Sequence, residues 1–227
     1  MIVVGLNHRT VPLDVLERMT VTGDRLPKAL HDLVSRDDIS EAVILSTCNR
    51  TEVYVVAERF HQAVGDVRHV LSSLAELAPE HFADHLYTFH DAGAVAHLFS
   101  VVSGLDSAVL GESEILGQVR GAWERAAGEG AARGGMNMLF RHAVGVGKRV
   151  RTETGIGRHT ASVSHAAVEL AEARLGTLSG ARVLVLGAGD MGEGMARSLV
   201  RSGVGELLVA NRTRAKADDL AAAIGGR

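Results

Sequence analysis

Residues 42–57 read AVILSTCNRTEVYVVA, which is an apolar run, a polar heptapeptide and a second apolar run. Short apolar segments bounded by polar residues are typical of buried strands, so this stretch predicts two strands joined by a turn. The turn holds Cys48, the only cysteine among the 227 residues. A thiol between two buried strands is held firmly and still reaches a cleft, which suits a nucleophile.

Arg50, close to the cysteine in the sequence, has two possible roles. The thiolate is the reactive form, and a fixed positive charge nearby lowers a thiol pKa from about 8.5 toward neutrality. The planar guanidinium could instead clamp a substrate carboxylate. The alternative interpretation makes Cys48 a small buried hydrophobe and Arg50 a surface ion-pair partner, which is the commoner situation for a lone cysteine.

Composition restricts the class of protein. With 46% hydrophobic and 22% charged residues, the chain has an ordinary soluble composition and can form one large or two modest domains. A single cysteine excludes an intramolecular disulfide and favours a reducing cytosol. No apolar run approaches the roughly 20 residues that span a bilayer, and no signal peptide precedes the first strand. We therefore predict a cytoplasmic protein without a membrane segment.

The charge distribution gives little support for a nucleic-acid surface. The net charge of -3 excludes a global basic field, and aromatic residues, at 4%, are too few for a base-stacking platform. A local basic segment remains, although basic residues on a helix are more often a solvated face than phosphate contacts. Its members are Arg141, Lys148, Arg149, Arg151, Arg158 and His159.

The first half of the chain predicts an α+β domain. A strand at 2–6 and the two strands around Cys48 alternate with amphipathic helices, which predicts helices on one face of a small, mostly antiparallel sheet. The helices are predicted at 13–19, from about 25, at 61–77 and at 92–102, the last with Asp91 as its N-cap.

His97 lies among apolar neighbours on the predicted helix 92–102. A lone histidine in this position is usually a packing residue. A cysteine acyl-transfer site, however, needs a proton donor for the departing alkoxide, and a histidine with a pKa near 6.5 can serve. His97 is therefore a candidate catalytic residue, and His8 is a weaker one.

The last 50 residues predict the start of a dinucleotide-binding fold. Residues 182–186 form a buried, parallel-type strand that leads into the glycine-rich GAGDMG at 187–192 and a helix. The next strand, 206–210, ends in Asn211-Arg212-Thr213 instead of an acid, which favours NADPH over NADH. Arg212 as a solvent-facing turn residue is the alternative. The predicted cofactor-binding residues are Gly187, Ala188, Gly189, Asp190, Met191, Gly192, Asn211, Arg212 and Thr213.

Five blocks together resemble the glutamyl-tRNA reductase family. They are GLNHRT at 5–10, STCNRTE at 46–52, SGLDS at 103–107, LGESEILGQV at 110–119 and the glycine loop at 187–192. They occur in the family's order and run from about Val4 to Thr213, which is nearly the whole chain.

The resemblance implies a reaction and a set of site residues. Cys48 attacks the ester of glutamyl-tRNA(Glu), tRNA leaves, and NADPH reduces the thioester to glutamate-1-semialdehyde, the first step of the C5 route to tetrapyrroles. The family has an activity-linked histidine at the position of His97 and requires no metal. We assign Glu112 and Glu114, the acidic pair, to the substrate ammonium group and Arg50 to its side-chain carboxylate. Substrate contacts are implied for Thr47, Asn49, Arg50, Ser107, Glu112, Ser113, Glu114 and Gln118.

The resemblance also implies the domain organisation. We expect a catalytic, glutamyl-tRNA-binding domain at 1–155, a linking helix at 156–177 and the N-terminal part of a Rossmann NADPH-binding domain at 178–227. The family continues through the rest of that domain and a helical dimerisation region, so we expect the sequence to be part of a homodimeric protein. The downstream glutamate-1-semialdehyde aminomutase is a candidate partner.

Two other functions remain open at this stage. One is an NADP-dependent dehydrogenase with a catalytic cysteine that acts on a free aldehyde or acyl phosphate, and it predicts turnover without tRNA. The other is a glutamyl-tRNA-binding or regulatory relative without reductase activity, and it predicts tRNA binding without NADPH consumption.

Overall fold

The computed structural model describes residues 1–21, 23–157 and 163–227. The chain forms two compact units, Met1–His159 and Thr160–Arg227, and each contains its own apolar cluster. The predicted linking segment 156–177 includes positions 158–162, which lie outside the described residues.

A four-stranded antiparallel sheet, ordered β2-β3-β1-β4, forms the centre of the first unit. The antiparallel prediction is thus confirmed. All six residues of β1 are buried, and successive strand residues point to opposite faces, so both faces of the sheet are covered. The prediction of helices on one face only is therefore wrong. The strands are β1 (Ile2–Asn7), β2 (Ile39–Ser46), β3 (Arg50–Ala57) and β4 (Tyr87–His90).

In the described part of the first unit, six helices surround this sheet. They are α1 (Leu13–Met19), α2 (Leu26–Val34), α3 (Phe60–Ala75), α4 (Asp91–Val102), α5 (Glu114–Gly128) and α6 (Gly134–Glu153). Three short 3₁₀ turns lie at Pro79–His81, Ala83–His85 and Gly155–Gly157. No helix in the described parts of the chain combines the length and the apolar character needed to cross a membrane.

The entry into α4 differs from its prediction. The helix begins at Asp91 itself, which has a left-handed backbone (φ 48°), and His90 occupies the N-cap position. The Asp91 N–H donates to the Met1 carbonyl at 2.8 Å, and its carboxylate pairs with the Met1 ammonium group at 3.3 Å. Because β4 runs directly into the helix, Asp91 does not cap it and instead ties the helix to Met1, the residue that precedes β1.

Glu41 joins the edge strand β2 to the start of α6. Its carboxylate accepts the backbone N–H groups of Arg133 (2.6 Å), Gly135 (3.0 Å) and Met136 (3.0 Å). The first N–H groups of a helix have no partner within the helix, and a buried anion at this end also interacts favourably with the positive end of the helix dipole. Glu41 therefore fixes where α6 begins against the sheet.

The second unit starts a parallel sheet. β5 (Arg182–Leu186) and β6 (Glu206–Ala210) pair in parallel, and they alternate with α7 (Val163–Leu175), α8 (Asp190–Arg201) and α9 (Arg214–Ile224). The backbone of Arg227 then bonds along β6, where its N–H donates to Leu207 at 2.9 Å. This strand–glycine turn–helix–strand order confirms the predicted Rossmann-type start.

The prediction that β5 is fully buried is wrong. Val185 is buried, but Leu184 and Leu186 are 55% and 77% exposed. A parallel strand reads as a continuous apolar run because helices cover both faces of its sheet. Among the described residues, only one face of this strand pair is covered.

We expect Glu41→Ala to lower the free energy of unfolding by about 1–3 kcal/mol, because three N–H groups at the start of α6, the one of Met136 buried and the other two partly buried, lose their acceptor. Urea denaturation measures this change, with Glu58→Ala, an exposed glutamate beyond β3, as the matched control. Equal stability of the two variants would show that Glu41 does not stabilise α6.

Candidate active site

The turn between β2 and β3 is closed by its own hydrogen bonds. The Thr47 N–H donates to the Arg50 carbonyl at 2.8 Å, and Thr47 Oγ1 accepts the N–H groups of Asn49 and Arg50, each at 3.2 Å. Cys48 lies between them with an exposed side chain. The interpretation of Cys48 as a buried hydrophobe is therefore wrong, since the thiol is presented to solvent on a fixed turn.

The electrostatic surroundings of the thiol are acidic. Partial burial raises the pKa of Cys48, and the negative charges of Glu112 and Glu114 raise it further against the effect of a backbone hydrogen bond. The expectation that Arg50 lowers this pKa is thus wrong. At neutral pH the free protein holds Cys48 mainly as the thiol.

Arg50 fails to activate the thiol because protein oxygens hold its guanidinium group. Its side chain is buried; Nη1 donates to Glu52 at 2.6 Å, and Nη2 donates to the carbonyl (2.6 Å) and carboxylate (3.0 Å) of Asp106. Burial alone would lower the pKa of Arg50, but the charge of Glu52 raises it above its ordinary value. A substrate carboxylate at Arg50 has to share this cation with two protein carboxylates.

Glu52 is the centre of a buried network. Its carboxylate is fully buried and accepts hydrogen bonds from Arg50, from the hydroxyls of Tyr54 and Tyr87 (2.5 Å for Tyr87), and from His97 Nε2 at 2.9 Å. Burial would raise the pKa of Glu52, but the His97 hydrogen bond and the Arg50 charge lower it to about 2. Glu52 is therefore ionised at neutral pH and compensated on all sides.

The ionised acceptor fixes the orientation of His97. A carboxylate only accepts hydrogen bonds, so Nε2 of His97 carries a proton and Nδ1 is the nitrogen left for exchange. The ring also stacks on Phe89, with centroids 4.9 Å apart. His97 thus packs against an aromatic ring, as the packing interpretation predicts, and also makes a polar contact with Glu52.

The other candidate histidine lies near the cysteine turn. The backbone N–H of His8 donates to the Asn49 carbonyl at 3.0 Å. Its Nδ1 is buried and has no hydrogen-bond partner in the described part of the chain. His8 therefore supports the turn through its backbone.

Two arginines fix the loop at 103–113. Arg9 donates to the Asp106 carboxylate at 2.9 Å and to the Ser107 carbonyl at 3.3 Å, while Arg50 holds the other carboxylate oxygen of Asp106. Gly104 and Gly111 both have positive φ, and a Cβ on Gly104 would lie 3.0 Å from Gly111 Cα. Only glycine permits this close crossing.

The acidic pair lies at the end of this loop, at the start of α5. Glu112 is buried and accepts the Ile115 N–H at 3.1 Å, whereas Glu114 is exposed. Burial and the neighbouring Glu114 charge raise the pKa of Glu112. Of the other predicted contacts, Ser107 is buried, Gln118 is half-buried on α5 and Ser113 is exposed at the N-cap.

The basic segment does not act as one patch. Arg151 points inward and donates to the carbonyls of Val102 (2.8 Å), Gly147 (2.9 Å) and Glu112 (2.7 Å), so its assignment to a surface patch is wrong. Arg158 and His159 lie outside the described residues. Arg141, Lys148 and Arg149 remain exposed on α6.

A grouping of possible metal ligands coincides with the Glu52 network. Glu52, His97 and Asp106 offer ligand atoms within 4.8 Å of one another. Arg50 donates to both carboxylates, so a metal ion there would face a buried guanidinium group. These residues are consequently arranged as an ion-pair network and not as a cation site.

The glycine loop of the second unit fits a nucleotide phosphate. Gly187 has φ +108°, and a Cβ on Gly192 would lie 2.0 Å from the Gly187 carbonyl, so neither position tolerates a side chain. Gly189 precedes α8 with open space around it, where a pyrophosphate can approach the helix N-terminus. The side chain of Asp190 lies outside the described residues, and that of Met191 is exposed.

The predicted residues after β6 divide into two kinds. Asn211 is structural, since its side chain accepts the Ala188 N–H at 3.2 Å and donates to the Thr213 carbonyl at 2.9 Å. Arg212 is exposed and makes no hydrogen bond or ion pair with other described residues. Its cation is therefore available to an anionic ligand.

Several members of the network were not predicted from the sequence. Glu52 and Arg9 lie inside the quoted blocks 46–52 and 5–10, and Asp106 lies inside 103–107, but only the fold shows that they meet. Tyr54 had no signal other than its place on a predicted strand, and Tyr87 lies on β4, which the sequence did not predict.

Comparisons with known proteins agree with the residue blocks. The family model described as "Glutamyl-tRNAGlu reductase, N-terminal domain" matches residues 4–154, and the one described as "Shikimate / quinate 5-dehydrogenase" matches 169–227. The glutamyl-tRNA reductase of Paenibacillus macerans is 46% identical over 228 residues, covering 99% of this chain and 52% of the relative. That of Heliobacterium mobile is 45% identical over 224 residues, covering 99% and 51%.

A solved structure is also similar. The glutamyl-tRNA reductase from Methanopyrus kandleri matches with a TM-score of 0.65 and 41% identity, covering 99% of this chain and 52% of that one. The chain therefore spans about half the length of the relatives it matches.

We expect Glu52→Gln to remove a pH-dependent part of the stability. The folded-state pKa of about 2 lies below the ordinary 4.5, so the ionised carboxylate stabilises the fold above pH 4.5, and this contribution disappears as the pH falls toward 2. The contribution is on the order of 3 kcal/mol. Urea unfolding from pH 6 to pH 2.5 should show a weaker pH dependence in Glu52→Gln than in the wild type. An unchanged dependence, matching that of the exposed control Glu80→Gln, would contradict this.

We expect Glu112→Gln/Glu114→Gln to lower the pKa of Cys48, because both carboxylates oppose the thiolate. Alkylation by iodoacetamide at pH 7, followed by intact mass, should accelerate roughly threefold to tenfold. Glutamine keeps an oxygen acceptor for the Ile115 N–H. The control Glu58→Gln lies beyond the opposite end of β3, and equal rates in both variants would exclude an electrostatic effect of the pair.

Proposed function

Because this chain belongs to the glutamyl-tRNA reductase family, we propose that it acts in the NADPH-dependent reduction of glutamyl-tRNA(Glu) to glutamate-1-semialdehyde. Release of tRNA accompanies this reaction, which is the first step of the C5 route of tetrapyrrole synthesis. The observation that carries the proposal is the exposed Cys48 thiol on a hydrogen-bonded turn, with two carboxylates close enough to change its pKa.

The first step is acyl transfer to the thiol. Sγ of Cys48, after losing its proton, attacks the ester carbonyl carbon of the glutamyl group, and the new C–S bond replaces the C–O bond to the tRNA ribose. The departing alkoxide takes up a proton and leaves as the free tRNA hydroxyl. The product is a glutamyl thioester, which accepts hydride more readily than an ester.

The acidic pair couples this step to substrate binding. We assign the α-ammonium group of the substrate to Glu112 and Glu114, whose charges raise the thiol pKa in the free protein. A bound ammonium group neutralises these charges and thereby favours the thiolate. Thr47, Asn49, Ser107, Ser113 and Gln118 complete the proposed substrate contacts, with Arg50 sharing its cation with the substrate carboxylate.

His97 is the proposed proton-transfer residue. Glu52 holds its Nε2–H at 2.9 Å, so the ring orientation is fixed and Nδ1 is the nitrogen available for proton exchange. A neutral imidazole with this tautomer can accept the thiol proton and return it to the leaving alkoxide. Glu52 remains ionised throughout and acts as the positioning residue.

The second unit is proposed to bind the cofactor. Residues 187–192 would hold the pyrophosphate against the N-terminus of α8, with Gly187 and Gly192 leaving room for the backbone turn. Arg212, which has no ion-pair partner in the described ranges, supports NADPH because its guanidinium suits a 2′-phosphate. Asn211 and Thr213 hold the adjoining turn. When bound, the cofactor supplies the hydride that converts the thioester to the aldehyde.

Three further parts of the proposal follow from family membership. Residues 1–155 form the substrate domain, 156–177 the link and 178–227 the start of the cofactor domain. The whole protein forms a homodimer and hands its aldehyde product to the downstream aminomutase. Because Cys48 must stay reduced for this chemistry, the location is the cytoplasm.

Intact-mass analysis after mixing the protein with glutamyl-tRNA(Glu) and quenching with acid tests the acyl-transfer step. We expect a glutamyl adduct on Cys48 that is absent in Cys48→Ser, and its loss with aldehyde formation when NADPH, but not NADH, is added. tRNA binding without any adduct would contradict the proposal and favour a binding or regulatory protein. Turnover of a free aldehyde without tRNA would favour a different dehydrogenase.

A further inference from the structure

One face of α6 is basic and exposed between Arg141 and Arg149. Arg141, Gly145, Lys148 and Arg149 follow the i, i+4, i+7, i+8 spacing of a single helix face, and all four are exposed. We infer that these four residues, the α6 basic face, dock the phosphate backbone of the tRNA part of the substrate. This inference rests on the proposed function, because tRNA is the substrate named there.

The charge on this face is largely uncompensated. The helix contains no acidic residue before Glu153, its last residue. It is therefore basic although the chain as a whole has a net charge of -3. Arg149 pairs with Glu153 at 2.9 Å, but the side chains of Arg141 and Lys148 make no hydrogen bond or ion pair within the described ranges. Two free cations about 10 Å apart along a helix suit separate phosphates.

Gly145 gives a second, independent indication. A glycine inside a helix costs about 0.5–1 kcal/mol relative to alanine, yet a Cβ at Gly145 would meet nothing within 4 Å. Gly147, by contrast, is required by packing, because its Cβ would lie 2.9 Å from the Val102 carbonyl. Gly145 lies between Arg141 and Lys148, where a side chain would hold an approaching sugar-phosphate backbone away from the helix.

The inward side of the same helix connects this face to the reaction site. Arg151 donates to the Glu112 carbonyl at 2.7 Å, and the Glu112 carboxylate acts on the Cys48 thiol. The α6 helix thus connects a ligand on its basic face, through Arg151, to the loop that carries Glu112. With aromatic residues at 4% of the chain, we assign backbone contact and not base stacking.

The test uses fluorescence anisotropy of labelled, uncharged tRNA(Glu) with the full chain between 50 and 300 mM salt. We expect Arg141→Gln/Lys148→Gln to weaken binding by about tenfold and to reduce the slope of log K against log salt by about two, because each of the two cations neutralises one phosphate. The matched control, Lys28→Gln/Arg68→Gln, removes two exposed cations on α2 and α3 and should leave both quantities unchanged.

Gly145→Ala separates docking from folding. It should raise the thermal stability of the protein because alanine favours the helix, and it should still weaken tRNA binding. Unchanged affinity in both α6 variants, a loss equal to that of the control, or no tRNA binding by the wild type would overturn the inference. Equally α6-dependent binding to phosphatidylserine vesicles would overturn its assignment to RNA.

The Cys48 adduct distinguishes failure of this inference from failure of the proposed function. A wild-type adduct together with unchanged tRNA affinity of the α6 variants rejects only the docking face. Binding of tRNA that depends on α6 without any adduct supports the docking face and rejects the catalytic proposal.

Discussion

The buried carboxylate of Glu52 is the constraint on which the first unit depends. An ionised group inside a protein is tolerated only when donors and opposite charge surround it. Here the donors come from β3, β4 and α4, through Arg50, Tyr54, Tyr87 and His97, so the sheet and the helix must meet correctly for the charge to be stable. The network therefore specifies the arrangement of these elements and also fixes the ring of His97.

The same network explains why Arg50, two residues further along the chain, does not lower the pKa of Cys48. Glu52 and Asp106 neutralise Arg50 inside the protein, and the charges that affect the thiol come from Glu112 and Glu114 across the fold. Partial burial and these two acidic charges raise the pKa of the Cys48 thiol.

Local signals accounted for most of the secondary structure. The strands around Cys48, helix α1 and the β5–α8–β6 order followed from apolar periodicity and glycine placement. The edge strand β4 was missed because four residues, two of them exposed, carry too little periodicity. The role of Asp91 was misassigned because a helix that continues directly from a strand has no room for an ordinary cap. The burial of β5 was overestimated because the residue pattern of a strand does not show whether helices cover both of its faces.

The sequence by itself determined the candidate site residues: one cysteine on a turn, a histidine on an apolar helix, an acidic pair and a glycine loop before a helix. These are properties of residue type and spacing, which a chain displays before it folds. The tertiary structure decided the partners of each charge. Electrostatic effects depend on distance and burial, so only the folded chain shows that Arg50 pairs with Glu52 and that Glu112 disfavours the Cys48 thiolate. It also shows that Arg151 points inward, while Arg141 and Lys148 have no ion-pair partner among the described residues.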